Sequence, residues 1–386
     1  MASYRKLSSG KWEVTIDLGR DPSTGKRMRK FKSGFKTKKE AISYANSFSV
    51  DIANGLNVID NKILLKDFIM SWYNDYKIKT ISLNTRSGYE NRINNYIIPC
   101  LGEIELGKVN TATVQQFYNN LINQDLKPNT AKKMIEVLRG CFIYAKKLNL
   151  VNSLPTDIEK VPETSSKVVV WDEIQVKYFL NQIKDTWIYL PCLIISLTGL
   201  RVGELCGLRW DNVDLDEGTI NVKEQVINDK KTHTLVHTKI LKTNAAFRSI
   251  SIPQGLINIL KEHMQNSPNS SYNDFVILDR SFGMCNPRNV SMDFTKKVNK
   301  YKDTLEDKVR NSKKEVKEYM QLPQISIHGL RHTHATILLL KGENVKVISE
   351  RLGHTSVKIT LDTYSHVLPS MKKQTADLLD SVFDDI

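Results

Sequence analysis

Between Trp12 and Leu18 the chain alternates strictly. Trp12, Val14, Ile16 and Leu18 are apolar, while Glu13, Thr15 and Asp17 between them are polar. A period of two marks a half-buried strand. Asp21-Pro22-Ser23-Thr24-Gly25 reads as a turn. Lys26 to Ser33 reads as a second, basic strand carrying Arg27, Arg29, Lys30 and Lys32. The period then changes. Thr37-Lys38-Lys39-Glu40 has capping-box spacing and opens a helix with Ala41, Tyr44, Ala45, Phe48 and Ile52 on one face.

Leu56 to Lys62 reads as a linker, and from Leu64 to Leu150 the spacing is helical throughout. One stripe is Leu65, Phe68, Ile69, Trp72 and Tyr73. A second is Tyr89, Ile93, Tyr96 and Ile97, ended by Pro99. Val114, Phe117, Tyr118, Leu121 and Ile122 form a third. Pro128 opens a fourth, with Met134, Val137, Leu138, Cys141, Phe142 and Ala145 inward and Lys132, Lys133, Arg139, Lys146 and Lys147 along it. These are four amphipathic helices, and their aromatic residues are core rather than base-stacking platforms. Val151 to Lys167 holds Pro155, Pro162, Thr164, Ser165 and Ser166 and reads as an extended polar linker. The remainder is helical to Leu200, with short strands at Thr219–Val222 and within His237 to Ile252, and helical again after Pro253. Residues 296–321 are charge-dense, yet Val298, Tyr301, Leu305 and Val309 keep helical spacing, so a long exposed helix is expected. The fold class is multidomain and mainly α with small antiparallel sheets. Its divisions fall at 1–56, 62–150, a linker at 151–167, and 168–386.

The length of 386 residues agrees with two or three domains. No apolar run approaches a membrane span, and the N-terminus has charges where a signal peptide needs an apolar stretch. A cytoplasmic location and no membrane partner are therefore expected. Cys100, Cys141, Cys192, Cys206 and Cys285 are widely spaced with no CxxC pair, which argues against a disulfide framework or zinc knuckle and for small buried thiols. Lys and Arg exceed Asp and Glu by 56 to 42, and the surplus is concentrated at the start: residues 1–40 hold twelve against four. A polyanionic partner explains that better than solubility alone. The basic strand suits a DNA groove, although a solvated edge strand would carry the same lysines.

Histidine concentrates elsewhere. Five of the eight lie between His328 and His366, in the strings HGLRHTHA, LGH and DTYSH. Upstream are TGLRVGEL, containing Arg201 and Glu204, and LKTNAAFR, containing Lys242. His328 and Arg331 share a helix face. Two arginines, a lysine and two histidines without clustered carboxylates make a phosphate site. His328 and His332 have zincin spacing, but the HExxH glutamate is absent and Arg331 lies between them, so no metal is expected.

The order Arg…Lys…His-x-x-Arg…His…Tyr within these strings closely resembles the tyrosine recombinase (phage integrase) family. The resemblance covers the third unit. The first two units resemble the family's N-terminal arm-type DNA-binding domain and its helical, SAM-like core-binding domain, with an α+β catalytic domain following. It implies Tyr364 as nucleophile, forming a 3′-phosphotyrosyl bond with DNA. Arg201 and Arg331 would clamp the phosphate, and His354 would donate a further hydrogen bond. His328 would accept a proton near Tyr364, Lys242 would protonate the leaving 5′-oxygen, and Glu204 would support the site. Neither metal nor ATP is needed, no P-loop is present, and no cofactor is expected. Ala246 stands where the family often has Ser, and Lys239 lies three residues before Lys242.

The resemblance also implies double-stranded DNA with core and arm attachment sites as partner, a homotetramer on that DNA, an excisionase, a host DNA-bending protein and a nucleoid-associated setting. Arg27, Arg29, Lys30, Lys32, Lys133 and Arg139 are the candidate DNA contacts. Leu378, Leu379, Val382, Phe383 and Ile386 give the C-terminal tail one apolar helical face, which docks either on a neighbouring subunit or on its own domain. Integration and excision of a mobile element is the function implied. A type IB-like topoisomerase and a catalytically inactive DNA-binding regulator are the rivals.

Overall fold

The computed structural model describes residues 2–20, 27–53, 63–162, 168–229, 232, 234–239, 247–266, 274–312 and 320–364. Outside them lie the 21–25 turn, the 56–62 linker, Lys242 and the C-terminal tail. The chain divides into two compact units, 1–164 and 165–386.

The first unit opens with a three-stranded antiparallel sheet, β1 (Ala2–Lys6), β2 (Trp12–Arg20) and β3 (Arg27–Phe35), followed by α1 (Lys38–Ala53). Val14, Ile16, Ala41, Ala45 and Phe48 form the core between sheet and helix. β1 escaped the alternation pattern because it offers little apolar sequence. It is placed by register, with Tyr4 opposite Val14. Glu13 pairs with Ser33 but Trp12 with Phe35, so Gly34 is a bulged residue, at φ +104°. That extra residue turns Phe35 onto the helix side with Trp12, and its backbone angle favours glycine. At the start of α1, the Glu40 N–H donates to Thr37 Oγ1 at 3.2 Å, while the Glu40 carboxylate accepts from the N–H of Lys36 rather than Thr37.

Four helical rods follow. α2 (Leu65–Ser71) continues through a π turn (Trp72–Lys77) and a last α turn (Ile78–Thr80). α3 (Leu83–Arg92) continues through a second π turn (Ile93–Ile97) into Ile98–Leu101. Pro99, expected to end this helix, lies inside it. Just after a π turn the usual hydrogen-bond ladder is already offset, so its missing N–H costs less. α4 (Thr111–Asn123) and α5 (Pro128–Lys147) complete the module, and the predicted aromatic stripes supply its core. Residues 151–162, expected to be an extended linker, carry bends and a turn and are docked on the rods. The Gln115 amide both donates to the Glu159 carbonyl and accepts from its N–H, and Val161 N–H donates to Tyr118 Oη.

In the second unit α6 (Glu173–Gln182), α7 (Tyr189–Thr198) and the short α8 (Val202–Cys206) precede a sheet in the order β4 (Val213–Asp214), β5 (Thr219–Val222) and β8 (Arg248–Ser251). Between β5 and β8 projects the hairpin β6 (Glu224–Asp229) and β7 (Thr234–Lys239). β6 was not expected, because only Val226 of its six residues is buried. Then come α9 (Gln254–Gln265), α10 (Pro287–Ser312), α11 (Ile327–Leu340), α12 (Val345–Leu352) and α13 (Val357–Tyr364). α10 is the helix expected in the charge-dense stretch; it begins earlier, and Val290, Phe294 and Val298 bury one face. Trp171 meets Phe294 tilted and Phe179 meets it edge-on. Four cysteines are buried, but Cys100 is exposed.

Gly207 fixes how the hairpin meets α8. A Cβ there would lie 2.5 Å from Gln225 Cα and 2.8 Å from its nitrogen. Gly207→Ala must push β6 away from α8. We expect it to cost about 1–3 kcal/mol of stability, read as a lowered urea midpoint of the full-length protein. An unchanged midpoint would show that the hairpin yields freely.

Candidate active site

The sequence places Arg201, Arg331, His354 and Tyr364 in four separate strings. Two helix ends bring them together. α7 ends at Gly199 in the left-handed conformation, φ +70°, and α12 ends at Gly353, φ +66°. A Cβ at Gly199 would meet His334 and Leu352 side-chain atoms at 2.8 Å, so the close approach of these elements also requires glycine.

The last carbonyls of a helix have no partner within it. Here side chains supply partners. Arg331, buried on α11, donates from Nη1 to Gly199 O and from Nη2 to Leu352 O, both at 2.6 Å. Arg201, just before α8, donates from Nη2 to Gly353 O at 3.2 Å. Arg351 donates to Leu197 O, to Ser251 O and to His334 Nε2. His334 Nδ1 lies 2.9 Å from Ser196 O. A carbonyl only accepts, so Nδ1 carries the proton and Nε2 is free to accept from Arg351.

Glu204 anchors the cations. Its side chain is 2% exposed and accepts from Arg201 Nη1 at 2.7 Å, from the Arg201 N–H at 2.9 Å and from Arg248 Nη2 at 2.7 Å. Arg248, 5% exposed, also donates from Nε to Arg351 O. Burial alone would raise the Glu204 pKa; the Arg248 hydrogen bond and charge, with those of Arg201, hold it at about 2. Burial lowers Arg331 to about 9, Arg201 adds to that fall and Glu204 opposes it, so Arg331 stays cationic at neutral pH.

The other groups face this frame. His354 follows Gly353, and its Nδ1 is 2.8 Å from Thr360 Oγ1. Burial, then the Arg331 and Arg201 charges, lowers its pKa to about 4. Tyr364, the last residue of α13, is 1% exposed and packs with Ala335, Leu339, Ile348 and Leu352. Its hydroxyl lies 2.8 Å from His332 Nδ1. Burial raises its pKa to about 12 despite Arg331. His328 is exposed, one turn back on α11, with its ring edge-on to His332 at 4.7 Å. The structure thus places His332, not His328, in contact with the tyrosine oxygen. Lys242 lies outside the described residues, in the segment after Lys239 and before Phe247.

The DNA-contact candidates do not share one surface. Lys30 and Lys32 stand opposite Ile16 and Val14, on the helix side, with their ammonium groups over the Phe48 and Tyr44 rings at 4.7 and 4.5 Å. Arg29 stands opposite Asp17 on the uncovered face, beside the 62% exposed Phe31, and Arg27 pairs with Asp17 at 2.6 Å. Lys133 and Arg139 are exposed on α5. Sequence reasoning missed Arg248, Arg351, His332 and His334. The signal available was a charged or imidazole side chain at the core-facing spacing of an otherwise apolar element.

Three family descriptions match the chain: the phage integrase family over residues 170–371, an arm DNA-binding domain over 2–52, and a phage integrase N-terminal SAM-like domain over 64–122. A XerC-like tyrosine recombinase of Caldanaerobacter subterraneus subsp. tengcongensis is 28% identical over 395 residues, spanning 99% of this chain and 98% of that protein. The ICEBs1 integrase of Bacillus subtilis is 26% identical, spanning 98% of this chain and 100% of its own length. Among solved structures, the Tn1549 transposon integrase in complex with transposon right end DNA superposes with TM-score 0.68 at 19% identity, over 81% of this chain and 99% of that one. A lambda integrase dimer bound to a core site gives 0.57 at 17% identity, over 93% of each chain. The structural matches establish a shared fold.

The buried charges set the acid stability. Glu204 is depressed when folded, so its contribution is complete above its ordinary value of 4.5 and is lost as pH falls towards 2. His334 and His354, depressed from 6.5 to about 4, act in the same direction at higher pH: they stay neutral when folded, and stability falls as pH drops from 6.5 to 4. Glu204→Gln strands Arg248 and should cost about 3–5 kcal/mol at pH 7. It should also remove the lower acid step while keeping the upper one. Urea unfolding of wild type and variant at pH 7, 5 and 3.5 checks both points; matching curves would discount the pair.

Proposed function

The chain belongs to the phage integrase family and is a tyrosine-type site-specific DNA recombinase; we propose that Tyr364 is its nucleophile in the integration and excision of a mobile element. The observation that carries this is the set of pinned guanidinium groups around a hydroxyl-bearing helix end. Arg331 spends one N–H of each Nη on a carbonyl. Each Nη has a second N–H, and planar donors of this kind match phosphate oxygens. Arg201, 41% exposed at its side chain, offers a second guanidinium at the open side.

In this reading Tyr364 Oη attacks the scissile phosphorus. The bond to the 5′-oxygen breaks, and a 3′-phosphotyrosyl bond forms. Arg201 and Arg331 offset the charge gathering on the non-bridging oxygens. His354, neutral because of its burial among cations, accepts from Thr360 through Nδ1 and donates to the phosphate through Nε2. Lys242 protonates the departing 5′-oxygen. His328 joins the site at its exposed rim. Glu204 acts through Arg201, by fixing its backbone and its guanidinium together. A phosphodiester is exchanged for another of similar energy, so the reversed sequence rejoins the strand without ATP.

DNA is bound, on this proposal, by three surfaces. The uncovered face of the N-terminal sheet takes the arm site through Arg29 and Phe31, α5 takes the core site through Lys133 and Arg139, and the catalytic unit takes the cleavage point. Assembly as a homotetramer on the DNA, help from an excisionase and a host DNA-bending protein, and a cytoplasmic, nucleoid-associated setting belong to the same proposal. So do divisions at 1–56, 62–150 and 168–386.

Two experiments test this. The full-length protein is incubated in EDTA with nicked duplexes taken from the DNA flanking its gene and run on a denaturing gel. A covalent adduct should form with wild type and vanish with Tyr364→Phe, and Arg331→Lys should slow its formation on the order of 10²–10³-fold. Absence of any adduct, or an adduct with Tyr364→Phe, rejects the assignment. Secondly, Arg29→Ala should weaken arm-duplex binding and reduce its salt dependence by about one phosphate contact. Lys30→Ala should leave that slope unchanged; the reverse outcome would assign the contact to the helix side.

A further inference from the structure

We propose that His332, rather than His328, is the catalytic base that accepts the proton of Tyr364 as its oxygen attacks the phosphate. The proposal rests on the recombinase reading and adds a residue to its site.

The geometry is specific. His332 Nδ1 is 2.8 Å from Tyr364 Oη, with the two rings inclined at 63°. His328, by contrast, meets His332 edge to face and is exposed. His332 sits one residue after Arg331 on α11, so a single helix presents a phosphate clamp and, beside it, an imidazole on the nucleophile. The groups facing His332 are Arg331 and His328 from its own helix, Tyr364 from α13, and His354 from the segment before α13. Arg201 and Glu204 act on the neighbouring His328 from α8 and its entry. Burial, then the Arg331 charge, lowers the His332 pKa, so the ring is neutral and able to accept. The phenol needs such help, because burial has made it a weaker acid than free tyrosine.

The step balances. The Tyr364 O–H bond breaks and its proton goes to His332 Nδ1, the Oη–P bond forms, and the P–O5′ bond breaks with the 5′-oxygen taking a proton from its own acid. In rejoining, His332 returns the proton to Tyr364.

The test measures single-turnover adduct formation by the full-length protein on nicked attachment-site duplexes between pH 5 and 9. His332→Gln keeps a hydrogen-bonding side chain but cannot take the proton. It should slow cleavage on the order of 10²–10³-fold, and the deficit should shrink as pH rises. 3-Fluorotyrosine at position 364, a more acidic phenol, should rescue His332→Gln more than it accelerates wild type. A 5′-bridging sulfur, which needs no acid to leave, should not rescue it. His332→Asn serves if the Gln variant folds poorly, with DNA affinity and thermal midpoint as controls. The proposal is overturned if the variants cleave within threefold of wild type. It also falls if they cleave faster, as removal of a mere latch on a buried tyrosine would cause, or if the deficit ignores pH and phenol acidity. A His328→Gln protein with this signature would transfer the role to His328. Failure of the recombinase reading looks different: wild type itself would form no adduct, or Tyr364→Phe would still form one.

Discussion

The geometry of this site depends on the carbonyl groups at the end of one helix. α7 ends with acceptors that its own backbone leaves unfilled, and Ser196, Leu197 and Gly199 are each met by a side chain from another element: His334, Arg351 and Arg331. α12 repeats the arrangement, with Leu352 and Gly353 taking Arg331 and Arg201. A helix C-terminus is the negative end of its dipole, so cations are favoured there. The same bonds that complete two helices therefore aim two guanidinium groups. The guanidinium groups that complete the helices keep further N–H donors, which the proposed reading gives to the phosphate.

The charge count extends the point. Arg201, Arg248, Arg331 and Arg351 stand against one buried carboxylate, Glu204. Burying charges is costly unless they are paired, and here pairing is incomplete by design of the chain. Arg248 takes up the carboxylate most directly and donates onward to Arg351 O. Arg201 is held by Glu204 and the Gly353 carbonyl, and Arg331 by the Gly199 and Leu352 carbonyls, with donors to spare. In the proposed reaction the negative charge of the transition state would supply what the pairing lacks.

How much of this was legible in the sequence follows from what each signal encodes. Arg201, Glu204, Arg331, His354 and Tyr364 stood out because rare residue types sit in short strings, and the structure gathers them at two helix ends. The strings do not encode partners. His332 looked like a neighbour of Arg331, and only the packing of α13 against α11 brings its ring to Tyr364. Arg248 closes the LKTNAAFR string, Arg351 lies on an amphipathic helix and His334 follows closely on Arg331, and their importance appears once the orphan carbonyls are placed. In the N-terminal sheet the basic strand was legible, but strand period two sends Arg29 and Lys30 to opposite faces. The Gly34 bulge, which returns Phe35 to the core, could not be read from alternation because it breaks it. β6 was invisible for want of apolar residues, and Pro99 misled because a π turn before it relaxes the rule it normally enforces.

Desolvation within the site, which reaches even the ring of His328 at its rim, and then the neighbouring cations keep His328, His332, His334 and His354 less basic than free histidine. Burial makes Tyr364 less acidic than free tyrosine. The site therefore does not store a ready-made tyrosinate, which would be held too firmly by Arg331 and would be a poor partner for a reaction that must reverse. On the proposed assignment it keeps the nucleophile neutral and its proton acceptor weak. In the proposed reaction, a phosphate that brings negative charge to the guanidinium groups would make an imidazolium more tolerable beside Arg331. When the phosphotyrosyl bond is later broken, a weakly basic imidazole gives the proton back readily. On that proposal, cutting and rejoining are balanced by the same depressed basicity, and a DNA phosphate is the group that completes the site.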